Sequence, residues 1–261
     1  MILVDSHSHI FDKSFDIDRS DVIARAADAG VKYHILPSID SKCTEKVIEV
    51  SKQYKNICFP LIGLHPTSVD SGFEAELLHI ETMIPNYKYY GIGEIGIDLY
   101  WDKTYIEQQK IAFRHQLRLA KSLHLPVVIH SRNSFDEIFE IADQENDANL
   151  RGVFHSFSGT LEHYNHIIEY KGFKVGIGGI VTYKNGGIDK VVAKMDISNI
   201  LLETDSPYLA PVPKRGQRNE GQNLIYIAQK VSEILEIPLG EVAKETTKNT
   251  LELFNIKTEE L

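Results

Sequence analysis

Ile2-Leu3-Val4-Asp5-Ser6-His7-Ser8-His9 opens the chain as a short apolar run that ends in two histidines spaced i, i+2. No G-x-G-x-x-G follows it, so the fingerprint of a dinucleotide-binding, doubly wound sheet is missing. Seven more apolar or β-branched runs follow, at 31–39, 57–65, 89–98, 126–132, 152–159, 173–182 and 199–206. They recur roughly every 30 residues, about the length of one βα unit. Helical patterns fill the gaps: 21–29 before Gly30, 105–123 ahead of Pro126, one opened by Ser134, and two closing helices at 222–235 and 239–254. Strict alternation with mostly apolar strands predicts a parallel sheet covered by helices. Eight such strands in 261 residues fit a closed (β/α)8 TIM barrel of the α/β class, one domain spanning residues 1–261.

Composition narrows the class. Hydrophobic residues at 43% and charged residues at 25% are ordinary globular values, which argues against disorder and fibres. The apolar runs are strand-sized, well below the roughly 20 residues of a membrane span. The start lacks a basic n-region, and the two cysteines, Cys43 and Cys58, cannot make a disulfide framework. A reduced, cytoplasmic chain is the expectation. A net charge of −9 makes tight, phosphate-driven binding of duplex DNA a poor expectation. It leaves room for a nucleic acid gripped locally through metal ions.

In such a barrel the reactive groups project from the carboxyl ends of the strands. The first run ends in His7 and His9, the third in His65, and the fourth in Glu94 and Asp98. The fifth carries His130, the sixth His155 and the eighth Asp205. Residues i and i+2 of a strand face one side, about 6.6 Å apart. His7 and His9 are therefore expected to converge on one cation while Ser6 and Ser8 turn away. Four histidines with Glu94 and Asp205 exceed the three protein ligands of a catalytic zinc. They suit a pair of divalent ions about 3.5–4 Å apart. The expected assignment gives His7, His9 and Asp205 to one ion and His130 with His155 to the other, with Glu94 bridging. Water held between the ions would be the nucleophile, and Asp205 would take its proton and return it to the leaving group. A nitrogen and oxygen set without thiolate admits Zn, Mg, Mn, Fe or Co alike.

Plainer readings stand beside these. Asp5 and Glu203 read equally as acids capping backbone N–H groups or as supports for metal-bound imidazoles. His65, before Pro66, either ends its strand or faces substrate, and Asp98 reads first as a turn residue. His34 reads as a core residue, and His79, His115, His124, His163 and His166 as helical and solvated. Trp101 with Tyr100 reads first as loop packing, then as a surface for stacking a base. Lys214, Arg215 and Arg218 cluster in the loop after the eighth run, where barrels of this kind often bind phosphate. Lys184-Asn185-Gly186-Gly187 adds a basic stretch, and Arg132 shares a face with His130 and could fork onto phosphate.

Five stretches taken in order resemble the TatD family of metal-dependent deoxyribonucleases. They are Asp5-Ser6-His7-Ser8-His9, Gly93-Glu94-Ile95-Gly96-Ile97-Asp98, Val128-Ile129-His130-Ser131-Arg132, His155-Ser156-Phe157-Ser158-Gly159 and Glu203-Thr204-Asp205-Ser206-Pro207. Ile62-Gly63-Leu64-His65-Pro66 and Arg218-Asn219-Glu220 are similar to two further family stretches. The resemblance implies an amidohydrolase-type TIM barrel, a dinuclear centre held by His7, His9, Glu94, His130, His155 and Asp205, and hydrolysis of DNA, often from 3′ ends. Ile10-Phe11-Asp12 displaces an acid by one position, and Gly221 replaces a usual proline. Both departures bear on substrate choice rather than on metal binding. The expected function is cleavage of phosphodiester bonds in single-stranded or frayed DNA by two divalent ions (Zn, Mg or Mn). Glu94 and Asp205 would act in catalysis, and His65, Arg132, Lys214 and Arg215 would bind substrate. No membrane or obligate protein partner is called for. The alternative is the same centre acting on an ester or amide, as in a D-aminoacyl-tRNA deacylase or a small-molecule amidohydrolase.

Overall fold

A computed structural model describes residues 1–258. Eight strands alternate with helices: β1 (Leu3–Asp5), α1 (Arg19–Asp28), β2 (Val31–Leu36), α2 (Ser41–Gln53), β3 (Cys58–Pro60), α3 (Phe73–Met83), β4 (Ile92–Asp98) and α4 (Ile106–Leu123). The second half continues with β5 (Val127–Arg132), α5 (Phe135–Glu145), β6 (Gly152–Phe154), α6 (Leu161–Glu169), β7 (Phe173–Ile177), α7 (Ile188–Val192), β8 (Ile200–Leu202), α8 (Leu224–Leu235) and α9 (Leu239–Leu253). All ladders are parallel, β1-β2-β3 in one group and β4 through β8 in the other. Two parallel bridges, Ile62 with Ile92 and Ser8 with Ser206, close the seams and make the sheet a (β/α)8 barrel. None of the helices of the described residues is long and apolar enough to cross a membrane.

The regular strands are shorter than the apolar runs. The β1 ladder stops at Asp5, so His7 and His9 lie beyond it. Their backbone is pinned by isolated bonds, Ser8 N to Ile35 O at 3.0 Å and His9 N to Ser206 O at 2.8 Å. The segment therefore continues between its neighbours as an irregular extension of the strand, bonded to β2 on one side and to the stretch after β8 on the other. The alternation survives, and the two rings meet on one side with Nε2 atoms 3.2 Å apart.

Helix α4 fixes two neighbouring strand ends. Its buried stripe is Gln109, Ala112, Phe113, Gln116, Leu117 and Ala120, at the three- and four-residue spacing of a helix face. Ile111 points out and is 56% exposed. The two buried glutamines work as backbone clamps. Gln116 Oε1 accepts Leu64 N at 2.8 Å, just before His65, and Gln109 Oε1 accepts Asp98 N at 2.9 Å. The helix ends at His124, whose left-handed φ of 54° makes the cap, two residues before Pro126.

On the outer face, Glu145 of α5 accepts hydrogen bonds from Arg118 Nη2 at 2.7 Å and Arg114 Nη1 at 3.0 Å, both on α4. Arg118 first, with Arg114 and Lys121, holds its carboxyl down at about 2 against the opposing effect of burial. A carboxyl depressed by folding stabilises the fold above its unfolded value, 4.5, and that share is lost as pH falls through about 2. Glu145→Gln is expected to lower stability at pH 7 by about 1 kcal/mol, since Arg118, its first partner, is 63% exposed. That is a fall in Tm of about 2–4 °C. The difference between variant and wild type should vanish toward pH 2, which thermal melts across pH 2–7 measure.

Candidate metal centre

The predicted strand-end groups meet at the barrel mouth around Glu94, which is 3% exposed. Its two oxygens face different sets of imidazoles. Oε2 lies 3.1 Å from His7 Nε2 and 3.8 Å from His9 Nε2. Oε1 lies 2.8 Å from His155 Nε2, 2.9 Å from His130 Nδ1 and 3.2 Å from His65 Nε2. Asp205 Oδ1 completes the first set, 3.6 Å from His7 Nε2 and 3.4 Å from His9 Nε2. His7 and His155 stack with ring centroids 3.8 Å apart, which keeps the two sets adjacent.

The far nitrogens of two rings show which atoms offer lone pairs to the centre. His155 Nδ1 lies 3.3 Å from Glu203 Oε1, and His130 Nε2 lies 2.9 Å from Asp98 Oδ2. A carboxylate only accepts, so the ring protons sit on those nitrogens. His155 Nε2 and His130 Nδ1 face a second carboxylate oxygen, Glu94 Oε1, so each either carries a further proton or turns a lone pair to a cation held there. His7 Nε2 and His9 Nε2 stand 3.2 Å apart. Lone pairs facing a carboxylate, or each other, at such distances require a positive charge among them, either protons or a cation. The donor set is nitrogen and carboxylate oxygen throughout, which suits a divalent ion. Atoms of His7, His9 and Glu94, and those of His65, Glu94 and His130, lie within 4.8 Å of one another. The residues present fit bound metal.

The same arrangement sets the electrostatics. Burial opposes ionisation of Glu94, but the His155, His65 and His7 rings and the His130 hydrogen bond hold its carboxyl well below the usual range. Asp205 is likewise held down, burial notwithstanding, by His9 and His7. Burial also opposes charge on His155, yet Glu94 and Glu203 together raise it well above the ordinary histidine value. Burial, helped by the neighbouring His130 and His155 rings, lowers His65 against the opposing pull of Glu94.

Neighbouring residues shape this centre. Asp98, expected as a turn residue, does both jobs. Oδ2 holds His130, and Oδ1 accepts Tyr100 N at 2.9 Å, folding the next loop over the mouth. Glu203 also does both, since it accepts the Ser156 N–H as well as facing His155. Gly176 leaves it room, because a Cβ there would sit 2.1 Å from Glu203 Oε2. Gly96, at φ 141°, lets β4 pass His130, whose carbonyl a Cβ would meet at 2.0 Å. Asp5 is spent differently, accepting Thr204 N at 2.8 Å and Thr204 Oγ1 at 2.6 Å, so it ties β1 to the Asp205 turn.

Above the centre opens a cavity of about 550 Å³ lined by His65, His130, His155, Asp205, Trp101, Arg132 and Tyr208 among others. Arg132 lies over the Tyr100 ring at 3.8 Å and near Trp101 at 5.2 Å, and Trp101 is 69% exposed. Lys214 and Arg215 are not in the cavity wall. Arg215 instead rests over Tyr183 at 4.5 Å. Arg218 is paired with Asp18 and Glu220, and the buried Asn219 donates to Thr204 O and Tyr208 O. The Arg218-Asn219-Glu220 stretch is therefore a clip for the loop that carries Asp205. His79, His115 and His166 pair with Thr44, Glu81 and Asp143 on the helical shell, and His163 caps α6.

Known proteins share this sequence pattern and fold. The profile described as TatD related DNase matches residues 4–255. YabD of Bacillus subtilis, an uncharacterized metal-dependent hydrolase, is 34% identical over 257 residues, covering 98% of this chain and all of its own. The crystal structure of YjjV, a TatD homologue from Escherichia coli, superposes with a TM-score of 0.92 at 30% identity, covering 98% of each chain. The phosphotriesterase homology protein of Escherichia coli, solved with phosphate in its active site, shares the fold at a TM-score of 0.72 and 12% identity, covering 97% of this chain and 98% of its own.

Proposed function

This chain belongs to the TatD family of metal-dependent hydrolases, and from that premise we propose that it cleaves phosphodiester bonds of DNA, working on single strands or frayed 3′ ends with two divalent ions. One observation carries the reading. Glu94 divides its oxygens, Oε2 toward His7 and His9 and Oε1 toward His130 and His155. That division is what a carboxylate shared by two ions needs, and paired ions suit displacement at phosphorus. When bound, the ions supply Lewis acidity and make water a nucleophile near neutral pH.

The chain's own residues supply the rest. Glu94, His7, His9 and Asp205 form one half of the ligand set, and His130 with His155 the other. Asp205 opens toward the cavity and takes the proton of the attacking water, then delivers it to the departing oxygen. Asp98 and Glu203 hold the two imidazoles in the tautomers that ligation needs. Arg132 is the guanidinium in the cavity wall and grips a phosphate, with Tyr100 supporting it from behind. Lys214 and Arg215, outside the wall, contribute weaker, longer-range attraction to the strand. A cavity of about 550 Å³ has the size of a small-ligand pocket, which favours one strand entering end first over an intact duplex. Exposed Trp101 and Tyr208 offer faces for terminal bases.

The test offers 3′- and 5′-labelled single-stranded DNA and D-aminoacyl-tRNA in parallel, each with and without chelator. Shortening of DNA that chelator stops is the expected outcome. Ester cleavage with intact DNA would replace this reading with the deacylase one. Arg132→Ala should raise KM for DNA about 10-fold or more, the scale of a lost charge-assisted hydrogen bond. An unchanged KM would remove Arg132 from substrate binding.

A further inference from the structure

Distance alone makes His65 a metal ligand, since its ring nitrogen, Glu94 and His130 offer atoms within 4.8 Å of one another. Its protons say otherwise. His65 stands just before a one-turn helix at Pro66–Ser68, and its Nδ1 accepts the backbone N–H of Thr67 at 3.1 Å. The Thr67 hydroxyl lies 2.7 Å from the same nitrogen. A hydroxyl can rotate to donate or to accept, but an amide N–H only donates, so Nδ1 must present its lone pair outward to Thr67. A neutral imidazole then carries its proton on Nε2. That nitrogen faces Glu94 Oε1 at 3.2 Å, a donor meeting an acceptor.

His130 and His155 are wired the opposite way. Their far nitrogens face the carboxylates of Asp98 and Glu203, which hold a proton on the outer side and leave the inner nitrogen able to turn a lone pair to a cation. His65 faces a donor on its outer side, so its proton is driven inward. It also lines the cavity, with its side chain 12% exposed. We propose that His65 is not a metal ligand but a fixed hydrogen-bond donor, which presents Nε2–H to a phosphoryl oxygen of the bound ester. This role rests on the phosphoester reading above. Once Glu94 Oε1 serves a cation, the Nε2–H is left for an incoming acceptor. A preset neutral donor aimed where negative charge accumulates lowers the barrier without reorganising during the reaction.

The experiment uses the full chain labelled with 15N at histidine and loaded with zinc, with His65→Ala supplying the assignment. Long-range proton–nitrogen spectra are expected to show His65 Nδ1 unprotonated and Nε2 protonated, and added inorganic phosphate should shift the Nε2–H signal. Loss of the Nε2 proton on zinc loading, or an Nε2–H blind to phosphate, would overturn the proposal. With DNA as substrate, His65→Ala should lose about 100-fold in kcat at unchanged zinc content. His65→Gln, whose amide N–H reaches the same place, should recover at least a tenth of wild-type kcat. A lower zinc content in His65→Ala, or a Gln variant no better than Ala, would count against the role. The spectra need only zinc and phosphate, so a wild-type protein inert toward DNA would refute the nuclease reading while leaving His65 separately decided.

Discussion

Glu94→Gln is expected to abolish turnover, with kcat falling about 10⁴-fold, and to strip the purified protein of most of its bound metal. The magnitude is that of losing a central catalytic group rather than a supporting one. Five imidazoles depend on this carboxylate, through distances of 2.8 to 3.8 Å. A neutral amide keeps the volume but offers one acceptor oxygen and no charge. His7 with His9 and His130 with His155 would then have no common anion between them. The fold should survive, because the strand and its clamp by Gln109 do not involve the Glu94 side chain. Elemental analysis and a thermal melt on one preparation check both halves. A variant that keeps its full metal content would show that Glu94 does not bridge.

Asp205→Asn is expected to cost about 10³-fold or more in kcat while leaving Tm within a few degrees. Asp205 sits at φ 56°, a left-handed conformation that asparagine accepts as readily as aspartate. The substitution therefore changes charge and proton affinity without straining the turn that Tyr208 N and Asn219 hold. An amide oxygen can still reach a cation beside His7 and His9, but it cannot take a proton from water. The loss should thus exceed the loss of metal, which separates the proton-carrying role from the ligand role. Wild-type rates in a well-folded Asp205→Asn protein would refute that assignment.

The barrel and the centre were legible to different depths. The alternation of apolar runs with helical patterns carried the eight strands and their parallel order, because burial on both faces of a strand leaves a compositional trace. Strand ends were less legible, since nothing local distinguishes Val4-Asp5 in a ladder from His7-Ser8-His9 in an irregular extension. The centre's histidines and Glu94 stood out because barrel geometry names the positions where chemistry collects. Their supports did not. Whether Asp98 is a turn residue or the partner of His130 depends on a contact between residues 32 apart in sequence, from the fourth strand to the fifth, and Glu203 meets His155 in the same way just beyond the ends of β8 and β6. The clamps by Gln109 and Gln116 leave no mark in the sequence either, since glutamine is as ordinary on a helix surface as on the buried stripe it occupies here. The cations after β8 looked alike in sequence, yet Arg218 is consumed by Asp18 and Glu220 while Arg215 lies on Tyr183. A one-dimensional pattern records what a residue can bond to and is silent on what the fold brings within reach.

Anomalous diffraction from crystals of the metal-loaded protein, with elemental analysis of the same batch, decides whether two ions share Glu94. Two cations are expected at the barrel mouth, one against His7, His9 and Asp205 and one against His130 and His155, with Glu94 touching both and His65 touching neither. A lone cation with Glu94 bound through one oxygen, or no metal at the mouth in an active preparation, would contradict that arrangement.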